Sequence, residues 1–134
     1  MDKTNEKYNA YIQILKEELI PAMGCTEPIA LAYGAARARE VLGKEPEHIT
    51  AKCSGNIIKN VRCVIIPNSG GLTGIEAGVV LGAVAGNASL NMEVLSNVNE
   101  FERKRCRELL DKKICKVELL DSPVVLHFII EMQA

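Results

Sequence analysis

The segment Pro21-Ala22-Met23-Gly24-Cys25-Thr26-Glu27-Pro28 holds the sharpest chemistry in the sequence. Gly24 allows a tight turn of the backbone. The hydroxyl of Thr26, the early acid Glu27 and the early Pro28 are the punctuation of a helix start. They predict a helix from just after Cys25 to about Leu42, closed by Gly43. A thiol at that start faces unpaired N–H groups and the positive end of the helix dipole. It should ionise more readily than a free cysteine, whose pKa is about 8.5. A thiolate binds metal, attacks carbon or accepts a proton. Glu27 opposes the effect where it points the same way. The competing reading is a buried structural cysteine, since free cysteine is among the most buried residue types.

A second cluster lies in the polar stretch Ser54 to Asn60, where Ser54, Asn56, Lys59 and Asn60 bring a hydroxyl, two amides and an ammonium together. That set suits a small zwitterion: Lys59 for a carboxylate, the amide oxygens for an ammonium. Its plainer reading is a polar turn between two strands. Further on, Gly70, Gly74, Gly78, Gly82 and Gly86 recur every four residues. Four of them fall on a helix predicted from about Thr73 to Gly86, making one bare stripe. Each glycine costs a helix about 1 kcal/mol against alanine, so something must press on the stripe. A neighbouring helix, that of Cys25, or a ligand would serve; tight helix packing is the simpler account. Asn68, Ser69, Gly70 and Gly71 could cradle a carboxylate. No Lys-Ser or Lys-Thr stands at the P-loop position, which argues against a nucleoside triphosphate.

The remaining reactive side chains read as structural. Cys53 and Cys63 lie on the apolar faces of two predicted strands, hence in the core. Cys106 and Cys115 have no nearby His or acidic cluster and are assigned no role. His127 falls on the polar face of the last strand and His48 follows Glu45, Pro46 and Glu47; both read as solvated. Glu100 to Lys113 reads as a solvated helix face.

These groups must be positioned by eight predicted elements. A first helix runs from Thr4 to Leu19, with Tyr8, Tyr11, Ile12, Leu15 and Leu19 at helical spacing and Pro21 as its stop. The Cys25 helix is the second. Strands follow at His48 to Gly55 and Asn60 to Ile66, joined by the polar stretch. After the glycine helix, Asn97 and Glu100 form a capping box for a helix to about Lys113. Strands at Ile114 to Leu120 and Val124 to Met132 flank the turn Asp121-Ser122-Pro123. The order α-α-β-β-α-α-β-β is an α+β fold, antiparallel hairpins packed against helices. Residues 1–134 make one such domain. The chain stops straight after a strong strand, which suggests the N-terminal piece of something longer.

Composition narrows the class. Hydrophobic residues make up 48% of 134 and aromatics 4%, so a core is available but must be aliphatic. Sixteen basic residues against seventeen acidic ones leave a formal charge of −1, which argues against nucleic acid and against an anionic membrane as partner. No apolar run approaches the roughly 18 residues of a membrane span, and the polar start is no signal peptide. Five cysteines without C-x2-C spacing make neither a disulfide framework nor a zinc ribbon. A cytoplasmic protein with reduced thiols is expected.

Three stretches then become recognisable: KEELIPAMGCTEPIALAYGAA, CSGNIIKNVRCVIIPNSGGLTG and AGVVLGAVAGNASLNMEVL. In order and spacing they resemble the L-cysteine desulfidase family, related to the alpha chain of iron–sulfur L-serine dehydratases. The resemblance spans most of the chain. It implies an enzyme that splits L-cysteine into sulfide, ammonia and pyruvate through an oxygen-sensitive [4Fe–4S] cluster. It implies too that this chain is about the first third of the protein, with the cluster's ligands in the missing C-terminal part. Cys25 matches the family's N-terminal cysteine, proposed as its catalytic base. Ser54, Asn56, Lys59 and Asn60 match its polar motif. NSGGLTG departs from the family's more usual Gly-Thr-Gly. Two other classes remain open: an L-serine dehydratase, an ammonia-lyase whose substrate differs at the leaving group, and a non-catalytic binding domain whose glycine stripe docks a partner. As a piece, the chain should be inactive, hold no cluster, and expose a docking surface that favours self-association.

Overall fold

The structure is a computed structural model and describes residues 9–15, 27–121 and 127–134. Strand β1 (Asn9–Leu15) is followed by α1 (Glu27–Leu42), β2 (His48–Cys53), α2 (Gly55–Val61) and α3 (Ile75–Ala85). A 3₁₀ helix (Ala88–Glu93), α4 (Glu100–Asp111), β3 (Cys115–Leu119) and β4 (His127–Gln133) complete the order. The class is α+β, as expected; the order and the strand pairing are not. Among the described residues no helix is long and apolar enough to cross a membrane.

The four strands lie in the order β1-β4-β2-β3. β4 pairs antiparallel with both β1 and β2, while β2 and β3 pair in parallel. β2 and β3 are the one pair of consecutive strands that are neighbours, and they run parallel, so the expected hairpins are absent among the described elements. β3 and β4, predicted to form a hairpin through Asp121-Ser122-Pro123, have β2 between them. Ser122 to Leu126 lie outside the described residues.

Two predicted elements change type. Thr4 to Leu19 was expected as a helix, yet Asn9–Leu15 is a strand. Its residues Ala10, Ile12 and Ile14 stand in register with Met132, Ile130 and Phe128 of β4. The segment carries period-two and helical spacing at once, and pairing with a buried strand decides between them. The expected strand Asn60 to Ile66 is replaced by α2 and a turn. Ile57 and Val61, four apart, are both fully buried, which is a helical face. Only Ile65 makes a bridge, to Thr73. As a result Cys63 is exposed, not in the core. The capping box also moves by two residues. Asn99 and Glu102, not Asn97 and Glu100, bond each other's backbone N–H at 2.8 and 3.1 Å. The sequence offers both overlapping pairs; Val98 is buried, so the helix starts after it.

One face of the sheet is the core. Ile49, Ala51 and Cys53 of β2 and Phe128, Ile130 and Met132 of β4 are buried there, against the alanine-rich α1 and against α3. The opposite face carries Lys52, which pairs with Glu131 at 3.4 Å. Gly34 lets α1 settle on the sheet, because a side chain there would strike the Phe128 ring.

The contact between α1 and α3 is closer still. A Cβ added at Gly78 would meet the Pro28 carbonyl at 3.6 Å and the Ile66 side chain at 3.3 Å. At Gly82 it would stand 2.6 Å from the Ala32 Cα, and at Gly86 2.9 Å from the Ala36 Cβ. Contacts that rise in four-residue steps along both helices mean that the two run parallel. The glycine stripe therefore receives a neighbouring helix, the one that follows Cys25 in sequence. At the far end Arg39 donates to the Ala83 carbonyl at 2.9 Å, a cation on the last turn of α3. Arg105 of α4 donates to both carboxylate oxygens of Glu45 in the loop before β2. That hydrogen bond, ahead of charge alone, holds the Glu45 carboxyl below its ordinary 4.5.

Three substitutions have expected outcomes. Gly82→Ala, which meets backbone, should cost about 1–3 kcal/mol in urea unfolding. Gly78→Ala, which meets a movable isoleucine tip, should stay within about 1 kcal/mol of the parent, since alanine also favours the helix. Glu45→Gln should cost no more than about 1 kcal/mol at neutral pH, the pair being partly exposed. A depressed carboxyl pKa stabilises above 4.5 and loses its effect as pH falls through the folded value. The difference between Glu45→Gln and parent should therefore vanish in acid, which melts at several pH values would read.

Candidate functional site

Strand direction gathers the candidates at one rim of the sheet. β1 and β2 both oppose β4, and β3 follows β2, so Leu15, Cys53 and Leu119 end their strands on the same side. His127 starts β4 there. α2 follows directly from β2, and α1 and α3 begin at this end before running back over the sheet. Open sheets with helices returning from each strand place ligands outside these carboxyl ends.

Ser54 sits at the junction. It is buried, its N–H donates to the His127 carbonyl at 2.9 Å, and its own carbonyl accepts from Ile58. It occupies the N-cap of α2 without a side-chain capping bond. The α-helix that replaces the expected loop then sorts the polar motif. Asn56, Lys59 and Asn60, spaced i, i+3 and i+4, share one exposed face, while Ile57 and Val61 turn inward. The structure thus brings Asn56, Lys59 and Asn60 together and sets Ser54 apart as a buried hinge at their base. Cys25 lies outside the described residues; Glu27, two positions on, is the first residue of α1.

The glycine-rich loop is held by long-range bonds. Asn68 has φ 59, and Gly70, Gly71 and Gly74 also take positive φ. The Asn68 amide donates to the Leu95 carbonyl at 2.9 Å. Arg103 of α4 donates to the Asn68 carbonyl at 2.8 Å and to its Oδ1 at 2.6 Å. Ser69 is buried, its Oγ accepting from the Leu72 N–H at 2.9 Å. Asn68 and Ser69 are therefore occupied in shaping the loop that starts α3.

The described cysteines are all free and differ sharply. Burial, with a smaller contribution from Glu76, pushes the Cys53 thiol up to about 12. Burial does the same for Cys106 and Cys115, each to about 12. None of the three is a ready thiolate. His127, expected to be solvated, is half-buried, because its strand is an interior one of the sheet. His48 is exposed. Sequence reasoning missed Arg103: in a helix of alternating charge it carries no mark of a loop clamp.

Comparison with known proteins places this architecture among longer chains. A UPF0597 protein of Treponema denticola is 48% identical over 127 residues, which are 95% of this chain and 30% of that protein. A UPF0597 protein of Desulfitobacterium hafniense is 46% identical over 132 residues, 98% of this chain and 31% of that one. One from Finegoldia magna is 54% identical over 112 residues, 84% and 27%. The chain spans about 30% of the length of the curated relatives it matches. No protein-family model and no solved structure matches it.

Arg103→Ala should release the loop. Bonds from a charged donor contribute about 1.5–3 kcal/mol, so amide exchange at Gly70 to Gly74 should speed up about tenfold or more while core amides hold. Exchange unchanged in the loop would mean that the turn holds itself.

Proposed function

We propose that the chain is the N-terminal portion of an iron–sulfur-dependent lyase that converts L-cysteine to sulfide, ammonia and pyruvate, working in the cytoplasm. One observation supports the reading most: α2 gathers Asn56, Lys59 and Asn60 on an exposed face, at the rim where the helix following Cys25 begins. Lys59 would hold the substrate carboxylate and the two amides its amine, with Ser54 anchoring α2. Cys25, as thiolate, would take the α-proton. The electron pair left behind forms the Cα=Cβ bond as the Cβ–S bond breaks and sulfur leaves as HS⁻. The resulting aminoacrylate tautomerises to an imine, and water hydrolyses that to pyruvate and ammonia.

The cluster is a separate matter. Among the described residues no three His, Cys, Asp or Glu side chains converge on a metal-sized site. Cys53 and Cys106 are spent in the core. The described residues alone do not make a [4Fe–4S] site, and the proposal assigns the ligands to the C-terminal portion of the same enzyme, outside this chain. That portion is the partner the reading requires.

Cys25→Ser in the full-length protein should lower pyruvate formation from L-cysteine by about 10²–10⁴-fold while the cluster's visible absorption stays. Loss of that absorption would make Cys25 a ligand. Pyruvate from L-serine alone would make the protein an ammonia-lyase, and pyruvate from neither would leave a binding domain. In this chain by itself, Cys25 should react with iodoacetamide at pH 7 faster than the exposed Cys63. An equal or slower rate would remove the thiolate from the proposal.

A further inference from the structure

We propose that the outer edge of β3 joins a second copy of this chain, antiparallel and centred on Val117. Among the described strands β3 lies at an edge of the sheet. The Ile114 carbonyl accepts from Ile49 and the Leu120 N–H donates to Cys53, so even-numbered residues turn their backbone groups toward β2. By alternation, Cys115, Val117 and Leu119 turn theirs outward. A second copy laid antiparallel with Val117 on Val117 pairs all of these groups.

The side chains fit that register and not its neighbours. Lys116 of each copy then faces Glu118 of the other, in the closer, non-hydrogen-bonded type of pair. Cys115 faces Leu119, whose side chain is 70% exposed in the single copy. A shift to the next bonding register in one direction sets Lys116 on Lys116, and in the other Glu118 on Glu118. Both are repulsive. A parallel, in-register copy also opposes like charges. Lysine on an edge strand ordinarily repels a second strand; here Glu118 converts the repulsion into a choice of one arrangement. In the single copy Lys116 and Glu118 satisfy each other at 2.8 Å, so exchange between copies gains modestly. A five-residue junction buries little surface, so the dimer is weak and concentration-dependent.

Sedimentation velocity on this chain over a concentration series tests the arrangement. A reversible monomer–dimer equilibrium is expected. Lys116→Glu and Glu118→Lys should each weaken it about tenfold, since two symmetry-related attractions become repulsions. The double reversal Lys116→Glu/Glu118→Lys should restore parental association. All three changes lie on the sheet edge, and circular dichroism would verify their fold. A monomer at every concentration overturns the proposal. So does a dimer indifferent to both single reversals, or a double reversal as weak as the singles.

Discussion

The molecule depends on two helices meeting backbone to backbone. Gly82 on Ala32 leaves no room for a side chain, and the steps at Gly78 and Gly86 repeat the approach one turn to either side. Burying glycines in a helix is expensive in chain entropy, and only close packing over several turns offsets it. Because the contact is parallel, both helices start at the same rim. Each then returns over the sheet, as the parallel course of β1, β2 and β3 requires. A looser, large-residue contact would leave the two starts free to slide, and the glycine-rich loop before α3 would have nothing fixed to stand on.

The parts of this plan that were legible in the sequence are those with a local cause. The glycine period announced a close partner, and the cap, proline and trailing glycine of α1 gave its extent. The apolar faces of β2 and the last strand, and the turn residues after β3, gave three of four strands. The misreadings share a different cause. Asn9–Leu15 fits a helix by spacing alone and becomes a strand only because β4 presents Phe128, Ile130 and Met132 beside it. Ile57 and Val61 sit among polar residues that suggested a turn, and only the depth of the core over β2 makes a helix worthwhile there. Sheet order was out of reach, since nothing near β4 says that it separates β1 from β2.

The candidate site was legible as a set of residues and not as an arrangement. The chemical types in Ser54 to Asn60 were evident, yet their division into a buried cap and an exposed amide–ammonium face follows from the helix. Arg103 shapes the neighbouring loop from 35 positions away in sequence. Among the described thiols, desolvation raises Cys53, Cys106 and Cys115, which the spacing of five similar-looking cysteines could not reveal.

The placement of β4 reaches beyond the folded state. A chain leaving the ribosome exposes β1 and β2 first, and these two strands never touch each other. β1 has no partner among the described strands until the last one emerges, and β2 has only β3. The nascent chain must therefore hold unpaired strand edges until β4 emerges, and insertion of β4 between β1 and β2 closes the sheet in one non-local step. Shielding of these early edges, by folding helpers or by the quick meeting of α1 with α3, becomes a condition for the chain to mature without aggregating.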